Sequence, residues 1–119
     1  MRRRIDAHVV MEKIIPRITK EYRKLYDIPE DHESMAVFSA DCEDVMWLAV
    51  DDATKKAKIK VIQIETVYGG VDHSWSRYGG EITAIISGEK VADVKSGLHY
   101  AKDYIENKSG NYHLNEDGT

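Results

Sequence analysis

The chain has 119 residues and a mass of 13.6 kDa, enough for one domain and too little for two. Hydrophobic residues make 42% and charged residues 32%, with a net charge of −4, a globular balance that disfavours a nucleic-acid partner. One cysteine rules out an intrachain disulfide framework and suits a reducing compartment, and no apolar run approaches the roughly 18 residues of a membrane span. Met1 to Arg4 is basic without a following apolar stretch, so a secretory leader is not expected. Residues 1–119 are expected to form one domain with flexible ends at 1–6 and 109–119.

The first expected element is a strand from about Ala7 to Ile15. Simple alternation places His8, Val10, Glu12 and Ile14 on one side and Val9, Met11 and Ile15 on the other. Pro16 cannot donate to a ladder and marks an edge or a strand end. Thr19 suits the N-cap of a short helix through Tyr26, with Tyr22, Leu25 and Tyr26 on one face. Met35 to Ser39 is apolar and reads as a buried strand, followed by an acidic loop from Ala40 to Asp44.

The clearest helix comes next. Val45, Leu48, Ala49, Ala53 and Ala57 form a narrow apolar stripe. Asp44 stands at its start, where a carboxylate meets exposed amides, and Lys55, Lys56 and Lys58 stand near its end, where cations suit the dipole. Ile59 to Val67 and Glu81 to Ser87 are rich in β-branched residues and read as strands. A last helix is expected from about Val91 to Glu106, with Val91, Val94, Leu98, Ala101 and Ile105 as its stripe. The pattern β-α-β-α-β-β-α predicts an α+β fold. Its helices pack on one face of a small mixed, largely antiparallel sheet.

Two segments carry candidate chemistry. Asp41, Glu43 and Asp44 place three carboxylates in four positions beside Cys42, a pattern that attracts a cation or a protonated amine. Taken alone it reads more simply as a solvated turn whose Asp44 caps a helix. The loop Tyr68 to Gly80 joins His73, Trp75 and Arg77 to glycine pairs at both ends, including Gly70 and Gly79. That composition suits a binding loop with hinges, or an ordered loop whose Trp75 packs back on the domain. It has neither a dinucleotide fingerprint nor a P-loop lysine.

His8, His32, His73, His99 and His113 form no close pair on one helix, and Cys42 has no CxxC partner, so neither a metal nor a cofactor is expected. Neighbouring charge disfavours the Cys42 thiolate, and no nucleophile elbow occurs, so catalysis is not expected either. Lys55, Lys56, Lys58 and Lys60 form the one basic cluster, which by itself reads as a solvated helix end.

The run Ala40-Asp41-Cys42-Glu43-Asp44-Val45-Met46-Trp47-Leu48-Ala49-Val50-Asp51-Asp52-Ala53-Thr54-Lys55 resembles bacterial microcompartment shell proteins. It is similar to the first domain of the L-type ethanolamine-utilisation shell proteins. Those share an acidic A-D-x-[DE]-D loop followed by an A-x-D-[DE]-A-T-K helix. The likeness continues through Gly79-Gly80-Glu81-Ile82, Gly97-Leu98 and Tyr104-Ile105-Glu106-Asn107. A strand and short helix before Met35 match the circularly permuted form of the shell domain.

The resemblance implies a non-catalytic building block that forms cyclic tiles, hexamers or trimers of tandem domains, packed edge to edge with other shell proteins. It implies Lys55 at the tile edge, and Asp41, Glu43, Asp44 and Trp47 beside a small pore for polar metabolites. It implies a gating role for the loop holding Gly70, His73, Trp75, Arg77 and Gly79. L-type proteins carry two such domains, so this chain is either a single-domain relative that forms a homohexamer or one half of a tandem protein. The expected setting is a cytoplasmic microcompartment shell, with no membrane or nucleic-acid partner. The alternative is a soluble regulatory domain whose Tyr68 to Gly80 loop closes on a small ligand.

Overall fold

The computed structural model describes residues 7–67 and 81–108. The elements come in the expected order: β1 (Val9–Ile15), α1 (Lys20–Leu25), β2 (Ser34–Ala40), α2 (Glu43–Lys56), β3 (Lys60–Val67), β4 (Glu81–Gly88) and α3 (Val91–Asp103). A π-helical turn, Tyr104–Lys108, continues α3. The α+β architecture is as expected, and all three strand pairings in the sheet are antiparallel, in the order β1-β2-β4-β3.

β2 and β4 are the inner strands, and both bury side chains on two faces. Ala36, Phe38 and Ala40 of β2 join Ile82, Ala84 and Ile86 of β4 on one side. Met35 and Val37 join Ile85 on the other. This double burial explains why Met35 to Ser39 shows no polar alternation.

The first face is covered by α2, through Val45, Met46, Ala49, Val50 and Ala53, and by α3, through Val94, Leu98 and Ala101. Small residues allow close approach. At Gly97 an added Cβ would lie 2.8 Å from Ile59 Cδ1.

Three expectations are corrected. The helices do not all share one face: α1 sets Tyr22 and Tyr26 against Ile18, Ile28, Met35 and Ile85 on the opposite side. Leu25, the last residue of α1, is 71% exposed: the chain leaves the helix at Tyr26, whose backbone is extended, and it is Tyr26 that packs beside Tyr22. In α2, Leu48 is 38% exposed, and Met46 and Val50 are buried instead. The buried stripe therefore runs one position round from the one drawn through Leu48, and Trp47 and Leu48 point outward.

Strand β1 departs from simple alternation. Its register against β2 shifts between Val9 and Met11. The extra residue of such a bulge reverses the parity of every later position in the strand. Val9 and Ile14 consequently both pack on the main core, while Ile15 packs on the other face.

Local signals hold the ends. Thr19 Oγ1 accepts from the Tyr22 amide at 3.3 Å, the expected cap. Ser34 Oγ donates to the Pro16 carbonyl at 2.6 Å, and the Arg23 guanidinium donates to the carbonyls of Pro29 and His32. α3 is tied to β1 by Lys102 Nζ to Glu12 Oε2 at 2.7 Å and by the Val9 amide donating to Glu106 Oε2 at 3.4 Å.

Candidate functional site

The acidic loop is placed by the turn from β2 into α2. Its three carboxylates do not act as one cluster. Asp41 is half-buried, and its Oδ1 accepts from the His8 amide at 2.7 Å while its own amide donates to the His8 carbonyl at 3.2 Å. This reciprocal pair continues the β1–β2 ladder. Cys42 takes the N-cap position of α2 and makes no side-chain cap bond, so Asp44 is not the cap. Glu43 and Asp44 instead occupy the exposed first turn, where their charge opposes the positive helix end.

The exposed face of α2 is set by helical spacing. Trp47 lies three positions beyond Asp44 and four beyond Glu43, so the three share one side of the helix. Trp47 is 53% exposed. Asp51 continues the ridge one turn on, and Lys55 comes next at 73% side-chain exposure with its Nζ 3.1 Å from Asp51 Oδ2. Lys56 behaves differently: its Nζ lies 3.2 Å from Asp52 Oδ2 and 5.6 Å from the centre of the Tyr100 ring. The ridge thus runs from two carboxylates, past an indole, to an outward cation.

Cys42 is buried beneath this turn. Burial, with the charges of Asp44 and Asp41, pushes its thiol above the ordinary value, against the lowering effect of the Val45 and Asp44 amides. A thiol held protonated this way is a poor nucleophile. Among the described residues, no three His, Cys, Asp or Glu side chains converge as metal ligands, and no helix is long and apolar enough to cross a membrane.

The loop residues Gly70, His73, Trp75, Arg77 and Gly79 lie outside the described residues, as does His113. His99 packs edge-on against Tyr100, with ring centres 5.6 Å apart. His32 Nδ1 lies 2.7 Å from Ser87 Oγ and fastens the segment after α1 to the end of β4.

One feature has no linear signature. Tyr22 of α1, Tyr26 just beyond its end, Val37, Gln63, Glu65, Thr83 and Ile85 line a groove of about 170 Å³ on the sheet face away from α2 and α3. Its Gln63 Nε2 donates to Glu65 Oε2 at 3.0 Å, and Thr83 Oγ1 lies 2.8 Å from Ser39 Oγ. The sole sequence clue is the Tyr22–Tyr26 spacing, which marks a face without saying what it meets.

A profile of the BMC domain matches residues 34–116. The bacterial microcompartment shell protein EutL of Clostridium perfringens is 34% identical over 113 residues, covering 95% of this chain and 52% of that protein. The crystal structure of the ethanolamine utilization protein EutL of Leptotrichia buccalis superposes with a TM-score of 0.80 at 38% identity, over 91% of this chain and 50% of that one. EtuB of Clostridium kluyveri shares the fold, with a TM-score of 0.62 at 20% identity over 87% of this chain and 42% of its own. The chain spans about half the length of the curated relatives it matches.

Proposed function

The chain belongs to the BMC-domain family, and from that premise we propose that it is a structural shell protein of a bacterial microcompartment. It assembles into cyclic tiles, hexameric or pseudohexameric, that pack edge to edge with further copies and with other shell proteins. Its work is assembly and selective passage, with no bond chemistry. The match to EutL proteins supports an ethanolamine-type or related compartment in the cytoplasm.

The observation that carries this reading is the outward ridge of α2 within the matched region. Lys55 closes that ridge, far out in solvent on a flexible stem, and its ion-pair partner among the described residues is the exposed Asp51 one turn back. Such a pair is worth a few tenths of a kcal/mol, so a neighbouring tile's carbonyls compete for the ammonium readily. At the other end, Glu43 and Asp44 present negative charge at the surface. Repeated around a ring, these carboxylates favour cations and polar cationic metabolites over anions at a small pore. Trp47 borders the same face. Asp41 supports the pore from behind, because its side chain braces the turn that carries the other two. The loop with Gly70, His73, Trp75, Arg77 and Gly79 gates a passage in this reading.

The test is solution mass by light scattering after size exclusion, then electron microscopy. A hexamer is expected at about 82 kDa, six times 13.6 kDa, with flat sheets at higher concentration. Lys55→Glu is expected to leave the ring intact and abolish the sheets. A chain that stays monomeric and never forms sheets overturns the reading. Unchanged sheets from Lys55→Glu remove the edge role.

A further inference from the structure

The groove beside Tyr22 and Tyr26 lies across the sheet from the acidic turn of α2, and the shell reading gives it no role. Val37 and Ile85 floor it, and the two half-buried tyrosines wall it. Its volume of about 170 Å³ is close to the roughly 150 Å³ cavity that accepts benzene in an engineered core, so it admits a group of about six heavy atoms.

Charge sets the sign of an occupant. Glu65 supplies the one charge among the described lining residues, which favours a cation. Lys13 is exposed on the same face of the sheet, opposite Val37 on β1. In the order β1-β2-β4-β3 it stands three strands from Glu65, roughly 14 Å at the usual strand spacing. Salt screens a surface charge at that range, since the Debye length is about 8 Å at physiological ionic strength.

The hydrogen-bonding atoms narrow the class further. Gln63 Nε2 donates to Glu65 Oε2 at 3.0 Å, which steadies the carboxylate at the edge of the groove. Glu65 Oε1 and the Gln63 carbonyl oxygen are acceptors beside it. Acceptors next to aromatic rings suit a planar cation that only donates. A guanidinium is such a group: its fork matches a carboxylate, it stacks on aromatic faces, and it is more weakly hydrated than an ammonium. An ammonium is a compact, strongly hydrated charge and gains less from a half-buried groove.

We propose that this groove binds a guanidinium group on a short aliphatic stem. The fork meets Glu65, the plane lies against a tyrosine ring, and the stem rests on Val37 and Ile85. The group arrives as a free alkylguanidinium or as an arginine side chain of a polypeptide. This site goes beyond the shell reading and does not depend on it.

The test is methyl NMR on the full chain, labelled at isoleucine and valine, with ethylguanidinium and N-acetyl-arginine-N-methylamide as probes. Saturable shifts are expected at Ile85 and Val37. Tighter binding of the arginine amide supports the site with a polypeptide source, and tighter binding of ethylguanidinium supports it with a free one. n-Butylammonium and 1-butanol are expected to bind at least about tenfold more weakly, as befits the loss of a charge-assisted fork. Glu65→Gln removes the charge at nearly constant shape and is expected to weaken both probes by about tenfold or more. Glu89→Gln removes the same charge from an exposed position past the far end of β4 and is expected to leave binding unchanged. No saturable shift at Ile85, equal binding of n-butylammonium, or full affinity in Glu65→Gln overturns the site. None of these outcomes bears on the shell reading, which the assembly state tests separately.

Discussion

Asp41 and His8, 33 residues apart, hold each other in two hydrogen bonds, one from backbone to side chain and one from backbone to backbone. The carboxylate thereby braces the junction of β1, β2 and α2. It is the one carboxylate of the acidic loop built into the fold. Its neighbours Glu43 and Asp44 are exposed on the first turn of α2.

That difference is measurable. Asp41→Ala leaves the His8 amide without its charged acceptor and is expected to cost about 1–2 kcal/mol in urea unfolding. Glu43→Gln and Asp44→Asn remove only a favourable charge near the helix end and are expected to cost about 0.3–1 kcal/mol each. In the shell reading these two, rather than Asp41, shift the preference of the pore between cations and anions. Equal stability losses at all three positions would contradict the division.

Gly97 tests the close contact of α3. A methyl group there would lie 2.8 Å from Ile59 Cδ1, 2.9 Å from Ile59 Cγ2 and 3.3 Å from Ile86 Cδ1. Gly97→Ala would gain about 1 kcal/mol of helix propensity elsewhere in a helix. Here overpacking of about 1–3 kcal/mol opposes that gain, and a net loss of stability is expected. Ile59→Val removes the nearest atom, so the added cost of Gly97→Ala should shrink in that background. A stabilising Gly97→Ala would mean that Ile59 has room to move away.

Cys42 gives a pH dependence with a definite sign. Burial raises the folded thiol above its ordinary 9.0, so the folded chain holds its proton longer than the unfolded chain does. The contribution to stability is complete below that ordinary value. It falls away as pH rises towards the folded value. Unfolding midpoints of the wild type are expected to drop more steeply above about pH 9 than those of Cys42→Ala, with no difference in slope at pH 7. Parallel curves would show that the thiol is not shielded. Thiol reagents at neutral pH should accordingly react far more slowly with the folded chain than with the denatured one.

Much of the fold was legible along the chain. The β-branched runs from Ile59 and Glu81, the Thr19 cap and the apolar run at Met35 each reflect a preference that acts within a few residues, and each element formed where it was expected. The acidic loop leading into an Ala-rich helix with Lys55 was enough to identify the shell-domain family, now matched over residues 34–116. The exposure of Lys55 and of the first turn of α2 is also implied by helical spacing alone.

What the tertiary structure decided are the relations between distant segments. Alternation could not reveal the bulge near Val10, because the shift exists only against β2; it moved Val9 and Ile14 to the same face. Periodicity alone put Leu48 inside, until packing of Met46 and Val50 against the sheet turned α2 and left Trp47 and Leu48 outside. No local signal could say that Asp41 would answer to His8, or that Tyr22 would meet Glu65 across a groove. The physical reason is common to all of these. A residue's propensity and its spacing to near neighbours are properties of the chain. Which face a strand presents, and which carboxylate finds an amide, depend on the register chosen when β4 settles between β2 and β3.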